Sequence, residues 1–450
     1  MRMKKMLCGL LVAVLVFAMA PMAAFAAGEL WVNGVDILTA DSYTVQCGEG
    51  TAVYDPDNAI LTLTNATLNQ ANRASRVIDV PSSIGELTIR LVGDNTIENH
   101  SEGIMAFCPL TIDGQGTLTI TTGTVAGLIS SGDMVIDGAT VTVTTTNDGA
   151  IQANGANLTL QNGATLKGTG KYYGVNAQQV SVTGKSTLIT AGTEELYNAI
   201  LANTSLIAED STITGTSDGV AILSFGPITL TDSTVTATST SSYGMWSVDL
   251  LSIAGHSTVT TQGENVGMDG NSGVQISAPS DGYVEILVGD DAESAQPSAS
   301  SPVEPGQNVS VTDMGNYSYA KVAPHTHELT HVPAVDPTPA KPGNIEYWYC
   351  EGCGKYFADA EGAQEITEAD TYLAPEGTAD IPGSNEDQVG GGDWDWPSSS
   401  TGDSSTGGSA SGTTTGGKEN PSTGDSSLVA GVVLLAAASA GGILLSKKRR

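Results

Sequence analysis

Five residues in the last third of the chain combine types and spacing that suit a metal ion: His325, His327, His331, Cys350 and Cys353. Thiolate and imidazole are the donors that tetrahedral zinc prefers, and a Cys-x-x-Cys turn delivers two thiolates from one loop. A structural zinc site is one reading; a Cys350–Cys353 disulfide or two free thiols are the others. No carboxylate stands as an obvious base beside these residues, so a catalytic metal is not expected.

A second candidate is a pair of carboxylates, Asp113 and Asp137, which occupy the same place in two copies of an Ile-Asp-Gly motif. Like charges one strand spacing apart are unfavourable unless they splay into water or share a cation such as calcium. The Asp-Gly pairs read first as turn residues. The third candidate is a column of residues just before a repeated Gly, replaced once by Asn198: Glu102, Ala126, Asp148, Tyr173, Tyr197, Asp218, Tyr243 and Val266, with Trp246 close by. Aromatic rings stack on sugar faces, and carboxylates accept hydrogen bonds from sugar hydroxyls. Tyr173, Tyr197, Tyr243, Trp246, Asp148 and Asp218 are therefore the glycan-binding candidates. Strict strand alternation would turn these tyrosines inward, whereas the acids in their column favour an outward, turn position.

The elements that must position these residues come from a repeat. From residue 61 the chain reads Leu110-Thr111-Ile112-Asp113-Gly114, Met134-Val135-Ile136-Asp137-Gly138, Leu158-Thr159-Leu160-Gln161-Asn162-Gly163 and Ile228-Thr229-Leu230-Thr231-Asp232. Copies start at Leu61, Leu87, Leu110, Met134, Leu158, Val180, Leu206, Ile228, Leu251 and Val274, 22 to 26 residues apart. A second short β segment follows each anchor, as in Thr117-Leu118-Thr119-Ile120. A third precedes it, as in Gly103-Ile104, Gly127-Leu128, Gly174-Val175 and Gly244-Met245. Three short strands per repeat, punctuated by Gly, Asn and Asp, predict an all-β parallel β-helix solenoid of about ten coils, roughly 45 Å long at the strand spacing. Right-handed winding is the default for parallel crossovers. The end coils of a solenoid need covers. Residues 27–60, with Asn33-Gly34 as a hairpin turn, and residues 277–324 are placed to supply β caps.

The repeat pattern over 61–276 resembles that of right-handed parallel β-helix proteins, a group with pectate lyases, polygalacturonases and many bacterial surface and carbohydrate-binding proteins. In the lyases of that shape acidic residues hold calcium and a basic residue removes a proton; in the hydrolases aspartates cluster. This solenoid region has six Lys and Arg, namely Arg73, Arg76, Arg90, Lys167, Lys171 and Lys185, which make no basic groove for a polyanion. The expected role is non-catalytic binding of carbohydrate or a cell surface, as an adhesin. A polysaccharide lyase or glycoside hydrolase, or a purely structural stalk, are the alternatives. Residues 325–375, with 343–357 at their centre, resemble short zinc-ribbon-like modules near the ends of bacterial surface proteins. Pro339 stands where those modules usually carry a further cysteine.

The two ends of the chain predict where it works. Residues 1–26 read as a signal peptide: basic Met1–Lys5, an apolar run, then Ala24-Phe25-Ala26. Residues 376–419 are rich in Gly, Ser, Thr and Asp and predict a disordered spacer. Residues 420–450 hold Asn420, Pro421, Ser422, Thr423 and Gly424, an apolar run and a basic tail. This layout resembles the LPxTG-type sorting signal of Gram-positive wall proteins, with Asn420 in place of the usual Leu. The resemblance implies sortase and peptidoglycan as partners, transient membrane insertion, and a wall-anchored, secreted location. The formal net charge of -32, from 17 basic and 49 acidic residues, excludes nucleic acid as a partner. Cys47 and Cys108 fall more than one coil apart and read as separately buried thiols rather than a disulfide.

Overall fold

The computed structural model describes residues 29–375, apart from 100, 101, 124, 195 and 196. The signal-peptide, spacer and sorting-signal readings lie outside the described residues. Among those residues no helix is long and apolar enough to cross a membrane, and the apolar run of 428–445 lies outside them as well.

The chain winds as a β-solenoid in which each coil contributes three strands, each hydrogen-bonded in parallel to its counterpart one coil away. The first column runs from Arg76–Val80 through Glu102–Ala106, Leu128–Ser130 and Ile151–Ala153 to Tyr243–Ser247 and Val266–Gly270. The second holds the apolar anchors, from Ile60–Thr64 and Leu87–Val92 to Leu251–Ala254 and Val274–Ser277. The third is the threonine-rich set, from Thr67–Leu68 and Asp94–Asn99 to Thr234–Ser239 and Thr258–Gln262. Among the described residues the third column has nine strands, so the solenoid has nine coils rather than ten.

Nine of the ten anchors fall in one register: Leu87, Leu110, Met134 and Leu158 face one another directly, as do Val180, Leu206, Ile228, Leu251 and Val274. Leu61 is the exception and pairs with Ile89, two residues on. Its strand arrives from an antiparallel meander, Thr44–Cys47, Gly50–Asp55, Ile60–Thr64, so the turn that sets the phase of later coils is missing ahead of it.

Alternation along the anchor and threonine strands sends one set of aliphatic side chains inward. Leu110, Ile112, Leu118 and Ile120 are fully or almost fully buried in one coil, and Met134, Ile136, Val141 and Val143 in the next. Where an inward position meets a turn, a hydroxyl replaces the aliphatic group and satisfies a buried carbonyl. Thr122 and Thr145 both donate to Val125 O at 2.9 and 3.0 Å, and Ser217 donates to Tyr197 O at 3.0 Å.

At both ends strands of reversed direction cover part of the stack. At the N-terminal end the hairpin of Trp31–Val32 and Val35–Asp36 pairs antiparallel with Arg76–Val80. Its turn residues Asn33 and Gly34 have φ of 48° and 78°, the left-handed pair that a tight two-residue hairpin requires. At the other end Tyr319–Pro324 pairs antiparallel with Thr258–Gln262 and with Val284–Gly289, and Gln296–Pro297 forms the outermost strand of that sheet. Asn308–Val311 covers Val274–Ser277 in the same sense. Leu329–Val332, Tyr347–Cys350, Lys355–Phe357 and Glu365–Ile366 then make a small antiparallel sheet.

Cys47 and Cys108 are separate free thiols, both buried. Burial pushes the Cys47 thiol up to about 11 and raises that of Cys108. Alkylation by iodoacetamide at pH 8 is therefore expected to be slower at Cys47 than at a free thiol by about a hundredfold, and to become fast in denaturant. Mass spectrometry of peptides after timed labelling checks this.

Candidate functional site

The first column breaks strand alternation, and that break creates the candidate site. Arg76–Val80, Glu102–Ala106, Tyr243–Ser247 and Val266–Gly270 share one pattern in which the second, third and fifth residues are buried and the first and fourth reach the surface. The second residue is tucked into the corner where the third column turns into the first. In the first of these coils it is Val77; in the later ones it is small, since a Cβ on Gly103 would lie 2.4 Å from Gly127 O and one on Gly244 2.6 Å from Gly267 O. Because two successive residues point inward, the first and fourth share the outer face.

Two outward rows result. Backbone pairing aligns Met105, Ile129, Gln152, Asn176, Leu201, Leu223, Trp246 and Asp269 in the fourth-position row. The first-position row holds Glu102, Ala126, Gly149, Tyr173, Asn198, Val220, Tyr243 and Val266. The sequence-based column is thus corrected at three places. Asp148 and Tyr197 sit one residue before the row, and Asp218 sits two before it, because Ala150, Ala199 and Ala221 take the tucked position in those coils. Tyr173 and Tyr243 hold their places and face outward, half-buried.

The tyrosines form two groups. Tyr197 packs against Tyr173, with ring centroids 5.4 Å apart and edge to face, and against Tyr172 at 4.5 Å. Lys171 lies over the Tyr172 ring at 5.6 Å and pairs with Glu194 at 3.5 Å. Asp148 caps the adjacent turn, accepting from Gly149 N–H at 2.7 Å and from the Gln152 amide at 3.3 Å. Burial, then the neighbouring Tyr197 and the Asp148 carboxylate, raise the Tyr173 phenol above its ordinary value, so its hydroxyl stays a donor at neutral pH. The second group is Tyr243 stacked on Trp246, centroids 5.2 Å apart and planes at 22°. The Trp246 indole N–H donates to Asn271 Oδ1 at 3.1 Å, which fixes the ring. Leu223 and Asp269 flank Trp246 in its row, and Phe225 stands exposed in the turn after Leu223. Asp218 is apart from both groups: its carboxylate accepts from Thr240 Oγ1 at 2.9 Å. Tyr172 and Phe225 escaped the sequence reading because both lie in turns; the Tyr172-Tyr173 doublet was the available signal.

Asp113 and Asp137 do align on successive coils. Each is already engaged on its far side. Arg90 grips Asp113 with two hydrogen bonds of 3.1 and 2.7 Å, and Asp137 accepts from Gln161 at 3.0 Å and Asn162 at 2.7 Å. The pair is an outward ladder of charge and amide, with the like charges offset by these partners. The Arg90–Asp113 bridge is partly exposed. Asp113→Asn is expected to lower stability by no more than about 1 kcal/mol, read from urea denaturation.

His325, His327, Cys350 and Cys353 converge, with one donor atom from each lying within 4.8 Å of the others. Cys350 Sγ is 3.5 Å from His325 Nε2, and Cys353 Sγ is 3.4 Å from His327 Nδ1. Burial pushes the Cys353 thiol up to about 11; burial and the adjacent His325 hold His327 below its ordinary value, leaving its imidazole neutral at pH 7. His331 is not in this group. It pairs across the sheet with Trp348, stacks on that ring at 5.0 Å and meets Glu346 at 2.8 Å, whereas Cys350 faces Leu329 at the other end of the same pair of strands.

The molecule is thus a capped parallel β-solenoid whose first column carries an aromatic outer face. A family model described as carbohydrate-binding domain-containing protein matches residues 26–292, and the chain belongs to that family. The match takes in every coil and both aromatic groups, and ends before the His/Cys cluster. No curated protein and no solved structure matches the chain.

Proposed function

We propose that the outer face of the first column binds a neutral glycan without catalysis, and that the chain displays this solenoid on a cell surface. The observation that carries the reading is the Tyr243–Trp246 stack, outward and held by Asn271, inside the region matched by a carbohydrate-binding family. A stacked, half-exposed aromatic pair gives a flat apolar platform for the CH face of a sugar, and the amides and carboxylates around it accept and donate to hydroxyls. Tyr172, Tyr173 and Tyr197 provide a second platform. Tyr173 and Tyr243 are three coils apart in one row, roughly 14 Å, which suits an extended oligosaccharide lying along the solenoid. The strongly acidic composition turns the preference toward uncharged sugars.

The display reading rests on the sequence of residues 420–424, whose Pro421, Thr423 and Gly424 match a sortase signal, with peptidoglycan as the acceptor. A glycan array probed with the full chain, with and without calcium, tests the binding reading. Reproducible binding to one sugar class, lost in a Tyr173→Ala, Tyr197→Ala double variant or in Trp246→Ala, supports it. Silence across the array, or binding that ignores both sets of substitutions, overturns it.

A further inference from the structure

We propose that His325, His327, Cys350 and Cys353 hold one zinc ion, and that this ion clamps the small C-terminal module onto the end of the solenoid. The inference is independent of the glycan reading, since none of these residues lies in the region matched by the carbohydrate-binding family.

The donor set comes first. Zinc bonds of about 2.3 Å to sulfur and 2.0–2.1 Å to nitrogen in a tetrahedron put neighbouring donors roughly 3.3–3.8 Å apart. The two Cys–His pairs already stand at 3.5 and 3.4 Å. Two thiols and two imidazoles, with no carboxylate in the cluster, are the donors of closed, structural zinc. The backbone is shaped to bring them together. Gly354 has φ of 69° and its N–H donates to Cys350 O at 2.8 Å, which folds the Cys350–Cys353 loop back on itself. A Cβ on Gly352 would lie 3.1 Å from His325 Cε1, so glycine at 352 lets the imidazole come close.

The position of the donors gives the site its role. His325 and His327 belong to the segment that leaves Tyr319–Pro324, a strand paired with the last threonine strand, Thr258–Gln262. The His325 N–H itself donates to Tyr283 O at 2.9 Å, within the end cap. Cys350 and Cys353 belong to the hairpin of Tyr347–Cys350 and Lys355–Phe357 in the module. One ion would therefore join His325, hydrogen-bonded to the cap, and His327, in the link between cap and module, to two cysteines of the module hairpin. Around it, among the described residues, the His327 ring meets Tyr283 at 5.8 Å and the buried Phe357 at 4.5 Å, Tyr283 OH donates to Glu365 at 2.7 Å, and Lys355 bridges Glu365 and Glu304 at 3.1 and 3.5 Å. Exposed ion pairs hold two bodies weakly. A metal bonded from both sides adds bonds stronger than any of these ties.

The test uses the full chain purified under reducing conditions and incubated with zinc chloride. Metal analysis is expected to find one zinc per chain, retained in His331→Ala and lost in a Cys350→Ser, Cys353→Ser double variant. Amide hydrogen exchange is then compared with and without a chelator. Removing zinc is expected to speed exchange by about tenfold or more in 325–332 and 347–357, while Thr234–Ser239 stays protected as the internal check that the solenoid is folded. Absence of zinc, equal zinc in the double variant, or a mass lower by two hydrogens marking a Cys350–Cys353 disulfide would each overturn the site. Unchanged exchange after chelation would overturn the clamp.

Discussion

Gly244→Val is expected to lower the stability of the solenoid by about 3 kcal/mol. A Cβ at this position would lie 2.6 Å from Gly267 O, 2.8 Å from Gln262 O and 3.0 Å from Ala237 O. All three are backbone carbonyls, from three different strands, so no flexible side-chain tip can move aside. The ladders that hold Tyr243–Ser247 to Val266–Gly270 must part to admit the new group. In a solenoid each coil contacts its neighbours alone, and the damage should stay local. Urea denaturation reads the loss. Hydrogen exchange should rise in Tyr243–Ser247 and Val266–Gly270 and stay unchanged in Leu87–Val92. A variant with wild-type stability would mean that the corner packing is looser than these distances imply.

Trp246→Ala is expected to weaken binding of the recognised glycan by about tenfold, equivalent to about 1.4 kcal/mol. The side chain points out of the fourth row, so its removal leaves the inward core of Tyr243–Ser247 untouched. Stability should therefore change little while affinity falls. Tyr243→Ala should weaken binding too, since it removes half of the stacked platform, and Trp246→Phe should keep most of the affinity. Calorimetric titration of each variant with the sugar found on the array provides the numbers. Equal affinity for Trp246→Ala and the parent chain would place the contact at Tyr172, Tyr173 and Tyr197 instead.

The coil count and the anchor register were largely legible because aliphatic anchors recur at 22 to 26 residues and hydrogen-bond to one another in space. The outer face was less so. The corner between the third and first columns varies in length: four residues separate Gly170 from Val175, whereas seven separate Gly192 from Ile200. Counting back from Gly149 and Gly219, and from Asn198 in place of a glycine, therefore misplaced Asp148, Asp218 and Tyr197, where alanine serves in the tucked position. Alternation misled in the opposite direction. It argued for inward tyrosines, whereas the double inward step at Gly174-Val175 and Gly244-Met245 turns Tyr173 and Tyr243 out. In the small module, local spacing was enough to find Cys350 and Cys353. Which histidines join them depended on strand pairing. His327 lies ahead of Leu329–Val332, whereas His331 sits inside it opposite Trp348, and a composition-based reading has no means of separating them.

The reversed strands at the two ends have a consequence for how copies of the chain behave together. A stack of parallel strands in register is a template, and an uncovered one grows by adding like strands, as fibrils do. Here Gly50–Asp55 and Trp31–Val32 at one end, and Tyr319–Pro324 and Asn308–Val311 at the other, lie against coil strands. All four run against the direction of the coils, and Pro297, in the outermost strand at the C-terminal end, has no N–H to donate. Where these strands cover a column, an incoming solenoid does not meet a coil strand that it could extend. End-to-end growth of those ladders is interrupted, which works against fibre seeding when molecules are packed densely side by side.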